Sequence, residues 1–268
     1  MSNVDTVNAL ITAINLDRFA EIEALHSPDV CFMSFRGPTL HNSVAVADWH
    51  RGFLRDYADC NYTALEYIED GDLVAVRATI EAKGYDWRPF TQRVVEVFRF
   101  DEGEVVERRL YGMLRDVELD KRATAALEDA LGYRGGSAAE SRKARDDMVS
   151  AWAAGDLDAA RTFFHEKFVL IDGVHGVCHG FDEAVELVNA RPRPAFGVER
   201  TTSVLVGEHD VLVESGLDPA RPRKADWLRL VDGKFRVDEV YWMLREIGLP
   251  GDQNYAHDRH TRQVILPI

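Results

Sequence analysis

The sequence predicts an α+β protein built from two copies of one domain. The first observation is a repeat: Tyr111-Gly112-Met113-Leu114-Arg115 returns as Tyr241-Trp242-Met243-Leu244-Arg245, 130 residues further along the chain. That spacing is too long for a solenoid repeat and matches one domain. The second observation is that helical patterns precede a run of strand patterns in each half, which is typical of helices packed on one face of a sheet.

The first half begins with helical patterns. Apolar residues recur at helical spacing over residues 4–14, and a second, shorter helix ends near Leu25. Pro28 stops this pattern, and residues 30–35 are typical of a buried strand. A turn rich in Gly, Pro and Asn then leads to a third helix, predicted over 43–55.

Strands dominate the rest of the first half. Asp70-Gly71 and Glu102-Gly103 supply two of the turns between them. The order of three helices, an early strand and a late antiparallel run predicts a curved sheet with the helices on one side. The predicted late strands are 62–68, 73–82, 92–100 and 105–115.

The same order returns in the second half. A charged, Ala-rich stretch over 121–137 predicts a linker with a short helix. Helices, a strand before Asp172, a helix at 181–190 and strands near 198–206, 210–216, 224–231 and 234–245 follow. We therefore predict a first domain over 1–120, a linker over 121–137, a second domain over 138–249 and a C-terminal tail over 250–268 that docks on the protein.

Composition argues against several partners. The formal net charge is −14 and no basic run offsets it, so nucleic acid is not expected to bind. No apolar run approaches the roughly 20 residues that span a bilayer, and the first residues lack a signal-peptide pattern. The three cysteines lack metal-type spacing, which predicts reduced core thiols in a cytoplasmic protein.

Several catalytic motifs are missing from the sequence. It contains no Gly-rich phosphate loop, nucleophile elbow or paired-cysteine metal signature, which argues against nucleotide hydrolysis, serine-hydrolase chemistry and zinc-finger function. His257 and His260 have a His-x-x-His spacing, but no third ligand accompanies them. We predict neither a cofactor nor a metal.

Each half resembles the nuclear transport factor 2-like superfamily, which includes SnoaL-like polyketide cyclases and ketosteroid isomerases. The element order carries the resemblance, together with Gly155-Asp156 in a helical hairpin and residues 98–105 in a strand hairpin. It covers residues 1–120 and 138–249. The resemblance implies two cone-shaped barrels, each with three helices on a curved, mostly antiparallel sheet, and a pocket between helices and sheet for a small hydrophobic ligand.

The repeated strand also predicts how the two copies pair. Tyr111 and Met113 lie on one strand face, and Leu110 and Leu114 lie on the other. Apolar residues on both faces indicate a sheet covered on both sides. We predict that the two domains pack through their sheets as a pseudo-two-fold dimer within one chain, which makes the protein a monomer or a weak homo-oligomer.

The ketosteroid isomerases suggest catalytic residues in the second copy. They keep a general-base Asp at the end of the first strand, where this chain has Asp172, with His175 close by. A carboxylate on an apolar strand face is suited to proton transfer. The first copy has Ser34 at this position and lacks the base. Asp172 precedes Gly173, so a turn-forming role is the alternative, and His175 is alternatively a hydrogen-bonding surface residue.

The same isomerases use a protonated Asp as a donor to the oxyanion. Glu96 and Asp226 occupy that position in the two copies, and hydrogen bonding to backbone or to an Arg is the alternative role. The isomerase Tyr on the first helix is missing. The cyclases carry an Asp four residues after an aromatic on the last strand, where this chain has Arg115 and Arg245, which argues against a cyclase of that type.

Our first interpretation is a protein that binds a small hydrophobic molecule, with cofactor-free acid–base catalysis of isomerase, cyclase or dehydratase type in the second copy. The alternative is a non-catalytic ligand-binding or scaffold module, because this fold hosts many functions. A third hypothesis gives the activity to the first copy, with Glu96 and His50. The predicted pocket-lining residues are Met148, Trp152 and Leu228 in the second copy and Tyr85, Trp87 and Phe98 in the first.

Overall fold

A computed structural model describes residues 2–83, 87, 89–113, 119–190, 200–218 and 221–247. The chain divides into two compact units. The first contains the described residues of 2–113 and 242–247, and the second contains those of 119–241. Each unit is an α+β structure with helices and a mainly antiparallel sheet, as the sequence predicts.

Two helices of the first unit, α1 (Asn3–Asn15) and α3 (Ser43–Asp56), begin where side chains cap their free backbone amides. Ser2 and Asp5 form a capping box at the start of α1, and Asn42 accepts from the Ala45 amide at 2.7 Å at the start of α3. The apolar stripe of α1 is buried, which agrees with its helical spacing. The helices are α1 (Asn3–Asn15), α2 (Phe19–Ala24) and α3 (Ser43–Asp56).

The sheet of the first unit has the order β3-β4-β5-β6-β1-β2. All neighbours are antiparallel except β1 and β6, which are parallel. Gly71 and Gly103 have φ of 67° and 85° in the turns before β4 and β6, a conformation that glycine adopts without strain. The strands are β1 (His26–Ser34), β2 (Thr39–Leu40), β3 (Ala58–Asp70), β4 (Leu73–Lys83), β5 (Pro89–Asp101) and β6 (Glu104–Gly112).

The second unit has the corresponding strand order, β9-β10-β11-β12-β7-β8, again with one parallel pair, β7 and β12. Its helices are α4 (Lys121–Gly132), α5 (Ala138–Ala153), α6 (Leu157–Arg161) and α7 (Phe181–Ala190). The 3-10 turn Leu244–Ile247, after the last strand, belongs to the first unit. Its strands are β7 (Phe164–Asp172), β8 (Gly176–His179), β9 (Arg200–Val206), β10 (Asp210–Asp218), β11 (Arg221–Val231) and β12 (Lys234–Trp242).

The parallel strand pairs show which residues correspond between the units. Phe32 of β1 lies opposite Arg108 of β6, and Leu170 of β7 lies opposite Asp238 of β12. Because the two pairs have the same place in the same topology, Arg108 and Asp238 hold equivalent positions. Tandem duplication of one domain, and the pairing of the two units through their sheets, stay predictions.

A helix occupies most of the predicted linker, in agreement with the short helix expected there. Residues 121–132 form α4, which Asp120 caps by accepting from the Ala123 amide at 2.8 Å. Ala123, Ala126 and Ala130 are buried, and Arg236 pairs with Asp129 at 2.9 Å. Alanine favours helix, and its small side chain lets the helix pack closely on the strands of its own unit. The predicted tail lies outside the described residues.

Two further features bear on the predicted class of protein. Within the described ranges, no helix combines the length and the apolarity needed to cross a bilayer. Cys31, Cys60 and Cys178 form no disulfide and are of intermediate burial, so they lie at the edge of the core and not inside it.

Candidate functional site

The first unit contains a cavity of about 370 Å³ whose wall includes a row of aromatic rings. Trp49 and Phe53 lie one turn apart on α3 and stack at a centroid distance of 5.5 Å. Tyr57, directly after the helix, continues the row at 4.7 Å from Phe53, and Phe90 of β5 meets Tyr57 edge-on at 5.7 Å. These rings offer flat apolar surface to a ligand.

Four polar side chains from four elements meet beside this cavity. Arg108 of β6, His50 of α3 and Tyr62 of β3 line it, and Glu96 of β5 lies behind them. Arg108 forms an ion pair with Glu96 through Nε and donates through Nη1 to Nε2 of His50 at 2.8 Å. Tyr62 donates its hydroxyl to the second Glu96 oxygen at 2.9 Å. None of the four is more than 4% exposed.

The guanidinium of Arg108 is held rigidly. Its central carbon lies 4.7 Å from the ring centroid of Phe32 and 5.5 Å from that of Phe98, within the range of cation–π attraction. Its hydrogen bonds in the described part of the chain use Nε and Nη1, which leaves Nη2 for a ligand. A buried cation is tolerated here because Glu96 supplies the opposite charge.

The protonation states follow from burial and from Arg108. Burial, then the charge of Arg108, then His26 hold the pKa of His50 well below its usual value of 6.5, so the ring is neutral. Because an arginine only donates, Nε2 of His50 accepts and the proton lies on Nδ1. Burial and the Glu96 carboxylate raise the pKa of Tyr62 well above its usual value, so its hydroxyl keeps its proton.

The cavity therefore offers hydrogen-bond donors and a fixed positive charge. Burial also raises the pKa of the Cys60 thiol on its wall to about 11, which keeps that group protonated. Among its described lining residues Asp56 alone carries a carboxylate, and it pairs with Arg55 at 2.9 Å at the end of α3. This arrangement suits binding or stabilisation of an oxyanion better than removal of a proton.

The predictions for the first unit have mixed outcomes. Both oxygens of Glu96 accept hydrogen bonds, so Glu96 positions Arg108 and does not act as a donor to an oxyanion. Phe98 is fully buried against Arg108 and is not part of the cavity wall. Trp87 is 72% exposed, because it lies in the connection between β4 and β5 with φ of 60°, so its predicted place in the pocket is wrong. Tyr85 lies outside the described residues.

The second unit contains a cavity of about 400 Å³ with a different polar wall. Asp226 lines it and pairs with Lys224, whose Nζ lies 2.9 Å from Oδ2. Asp238 contributes a second carboxylate from β12. The apolar wall includes the predicted residues Met148, Trp152 and Leu228, together with Phe164, Phe168 and Phe181.

Asp172 and His175 are placed differently from the general-base hypothesis. Asp172 is fully buried, and its Oδ1 accepts from the backbone amides of Val174 at 2.8 Å and His175 at 3.1 Å. The ring nitrogen Nδ1 of His175 lies 3.2 Å from the same oxygen. Neither residue is among the lining residues of the cavity that contains Asp226. This geometry favours the turn-forming alternative, in which Asp172 closes the bend between β7 and β8.

Sequence reasoning missed Arg108, the centre of the first site. The alternation of side chains along a strand could have indicated it. Arg108 and Leu110 are two residues apart on β6, so they share a face of the strand, and both line the cavity. A charged residue on the apolar face of a strand marks a functional candidate. No cluster of side chains suited to a metal occurs in the described ranges of the chain.

Comparison with known proteins agrees with this architecture. The model of the SnoaL-like domain family matches residues 7–108. The match covers α1 to β6, the elements that build the aromatic cavity and Arg108. No curated protein matches the chain.

Solved structures similar to this chain each cover about one unit of it. An NTF2-like protein of unknown function from Burkholderia pseudomallei is 25% identical, with 42% of this chain and 92% of that chain covered and a TM-score of 0.40. IdmH, a putative polyketide cyclase from Streptomyces antibioticus, is 20% identical, with 42% and 92% covered and a TM-score of 0.38. An LEH-like epoxide hydrolase from M. tuberculosis is 17% identical, with 41% and 81% covered and a TM-score of 0.37.

Proposed function

We propose that the SnoaL-like first unit binds a small aromatic molecule that carries an anionic oxygen. The observation that carries this proposal is Arg108, a fixed cation on the wall of an aromatic cavity. Glu96 and His50 engage two of its nitrogens, and the hydrogen bonds of the described residues leave Nη2 for the ligand. A carboxylate, a phenolate and an enolate share the required chemistry, since each offers a charged oxygen acceptor.

The cavity fits such a ligand in size and in surface. Its volume of about 370 Å³ lies within the usual range of small-molecule pockets, about 300–1,000 Å³. The rings of Trp49, Phe53, Tyr57 and Phe90 supply apolar surface for stacking. The low dielectric of an aromatic cavity strengthens a charge-assisted hydrogen bond at its polar end.

Ligand binding is the form of this function that the residues support best. Arg108 and the Nδ1 proton of His50 could also stabilise an oxyanion during a reaction. Proton abstraction requires a base within reach, and the one carboxylate among the described lining residues is Asp56 at the end of α3. The proposal is therefore the non-catalytic, ligand-binding reading, placed in the first unit.

Calorimetric titration with a matched pair of probes tests this proposal. The probes are 2-naphthylacetate and its neutral amide, which have the same ring and nearly the same shape. We expect the acid to bind about tenfold more tightly or better, because only the anion forms a charge-assisted hydrogen bond with Arg108. Equal affinities, or no binding of the acid, would contradict the proposed function.

A variant that fills the cavity tests its location. Gly52 lies on α3 at the cavity wall, and a Cβ at this position meets no atom within 4 Å. We expect Gly52→Trp to weaken 2-naphthylacetate binding by about tenfold or more. The matched Gly52→Ala variant should keep the affinity and raise the free energy of unfolding by about 0.5–1 kcal/mol, because alanine loses less backbone entropy in a helix. Unchanged binding in Gly52→Trp would place the site elsewhere.

A further inference from the structure

We infer that Arg245 is a positioning residue for the first cavity, because it holds one wall of that cavity in the form that receives the ligand. This inference rests on the proposed function of the first unit. The wall concerned is the connection between β1 and β2, residues 35–38, here called the wall loop. Arg245 lies in the 3-10 turn Leu244–Ile247, which belongs to the first unit. The wall-loop residues that line the cavity are Phe35, Arg36 and Gly37.

Arg245 binds the wall loop and the strand after it at three points. Its backbone amide donates to the Phe35 carbonyl at 3.3 Å. Its Nη1 donates to the Gly37 carbonyl at 3.0 Å, and its Nη2 donates to the Thr39 hydroxyl at 2.8 Å. The planar guanidinium therefore fixes two acceptors of one turn relative to each other, which a flexible ammonium cannot do. Glu246 forms an ion pair with Nε at 3.2 Å and supplies the opposite charge.

The hydrogen bonds from the wall loop to Ser34 are weaker than those from Arg245. The amides of Arg36 and Gly37 both donate to the Ser34 hydroxyl at 3.4 Å. That length exceeds the usual range for such a bond, about 2.7–3.2 Å, whereas both bonds from the Arg245 side chain lie inside it. Bonds to a charged donor are also stronger than bonds between neutral groups. The conformation of the loop therefore depends mainly on Arg245.

The position of Gly37 affects the aromatic row of the cavity. A Cβ added at Gly37 would lie 3.0 Å from Nε1 of Trp49, so the loop backbone is in close contact with the indole. Trp49 in turn stacks on Phe53. A displaced Gly37 therefore changes the surroundings of the ring that a ligand contacts. The residue that fixes Gly37 lies 208 positions further along the chain, in the repeated Tyr-x-Met-Leu-Arg stretch.

Calorimetric titration of the full chain with 2-naphthylacetate and its neutral amide tests the inference. We expect Arg245→Met to weaken the acid by about fivefold or more, because the ligand must then order the wall loop itself. The amide should weaken by a similar factor, because Arg108 keeps its charge and its contacts. Arg134 is the matched control, since its Nη1 donates to the Leu131 carbonyl at 2.6 Å in the second unit. Arg134→Met should leave both affinities unchanged.

A spectroscopic readout separates positioning of the wall from a loss of stability. Protein labelled with 5-fluorotryptophan gives one fluorine resonance for each tryptophan, and the resonance that disappears in Trp49→Phe is that of Trp49. In the ligand-free protein we expect Arg245→Met to shift or broaden this resonance by more than its linewidth. Arg134→Met should leave it in place. Circular dichroism checks that each variant is folded.

A second variant removes one contact and keeps Arg245. Thr39→Val deletes the acceptor of Nη2 at nearly constant shape, and we expect it to weaken 2-naphthylacetate by about twofold or more. Combined with Arg245→Met it should add no further loss, because the two groups form one contact.

Three outcomes would overturn the inference. They are an unchanged affinity in Arg245→Met, an unmoved Trp49 resonance in that variant, and a loss of affinity confined to the acid, which would show that Arg245 contacts the anion itself. If the wild type does not bind the acid, the proposed function fails. The Trp49 resonance of the ligand-free protein then still decides whether Arg245 holds the wall loop.

Discussion

Replacing Arg108 by Met is expected to lower the free energy of unfolding by about 3–5 kcal/mol. Glu96 is fully buried, and without Arg108 its carboxylate would keep the Tyr62 hydroxyl as its remaining hydrogen-bond partner among the described residues. An uncompensated carboxylate in the core costs far more than the lost contacts alone. Urea denaturation of the variant and the wild type measures the difference.

The control for this prediction is an exposed arginine of the same unit. Arg18 pairs with Glu21 at 3.4 Å, with more than half of each side chain exposed, so Arg18→Met should change stability by less than about 1 kcal/mol. Combining Arg108→Met with Glu96→Leu should recover much of the loss, because both charges are then gone. A cost for Arg108→Met as small as that of Arg18→Met would show that Glu96 and Arg108 are not a buried pair.

The protein is expected to lose stability steeply as pH falls below about 6.5. Burial, with Arg108 as the second cause, lowers the pKa of His26 from 6.5 to about 3, and the pKa of His50 is also held well below 6.5. Between these values the unfolded chain takes up protons that the folded chain excludes, so stability rises with pH in this window and falls with acid. Each buried histidine contributes a slope of about 1.4 kcal/mol per pH unit.

His26→Phe isolates one of these two contributions. Nδ1 of His26 donates to the Ile22 carbonyl at 2.6 Å, and Nε2 is buried with no hydrogen-bond partner in the described part of the chain. Urea denaturation between about pH 6 and pH 4 measures how the free energy of unfolding depends on pH. We expect this slope to be smaller in the variant by about 1.4 kcal/mol per pH unit, because one fewer proton is excluded on folding. At about pH 8 His26 is neutral in both the folded and the unfolded wild type. The difference in free energy of unfolding between variant and wild type at that pH therefore measures the change in packing alone. An unchanged slope would mean that His26 does not exclude a proton when folded.

The fold was accessible from the sequence because its signals are local. Helical spacing over 4–14 and strand alternation around Leu110 need no knowledge of distant residues. The elements that prediction missed lack such signals. The strands Thr39–Leu40 and Gly176–His179 are too short to show alternation.

The site was harder to predict because it depends on register. Sequence reasoning selected the acids Asp172, Glu96 and Asp226 and gave each a possible catalytic role. Whether an acid faces a cavity, a turn or a partner depends on which residue lies next to it on the neighbouring strand. Glu96 meets Arg108 because β5 and β6 pair with Phe98 opposite Arg108, which brings the two charges together in the core. No single strand contains that information.

The central claim is that Arg108 receives an anionic oxygen inside the aromatic cavity of the first unit. A crystal structure of the protein soaked with 6-bromo-2-naphthylacetate tests it most directly, because anomalous scattering from bromine fixes the orientation of the ligand. We predict the carboxylate within about 3.2 Å of Arg108 Nη2 and the bromine among Trp49, Phe53 and Tyr57. A ligand whose carboxylate points to solvent, or that occupies the second unit and leaves the first cavity empty, would contradict the account.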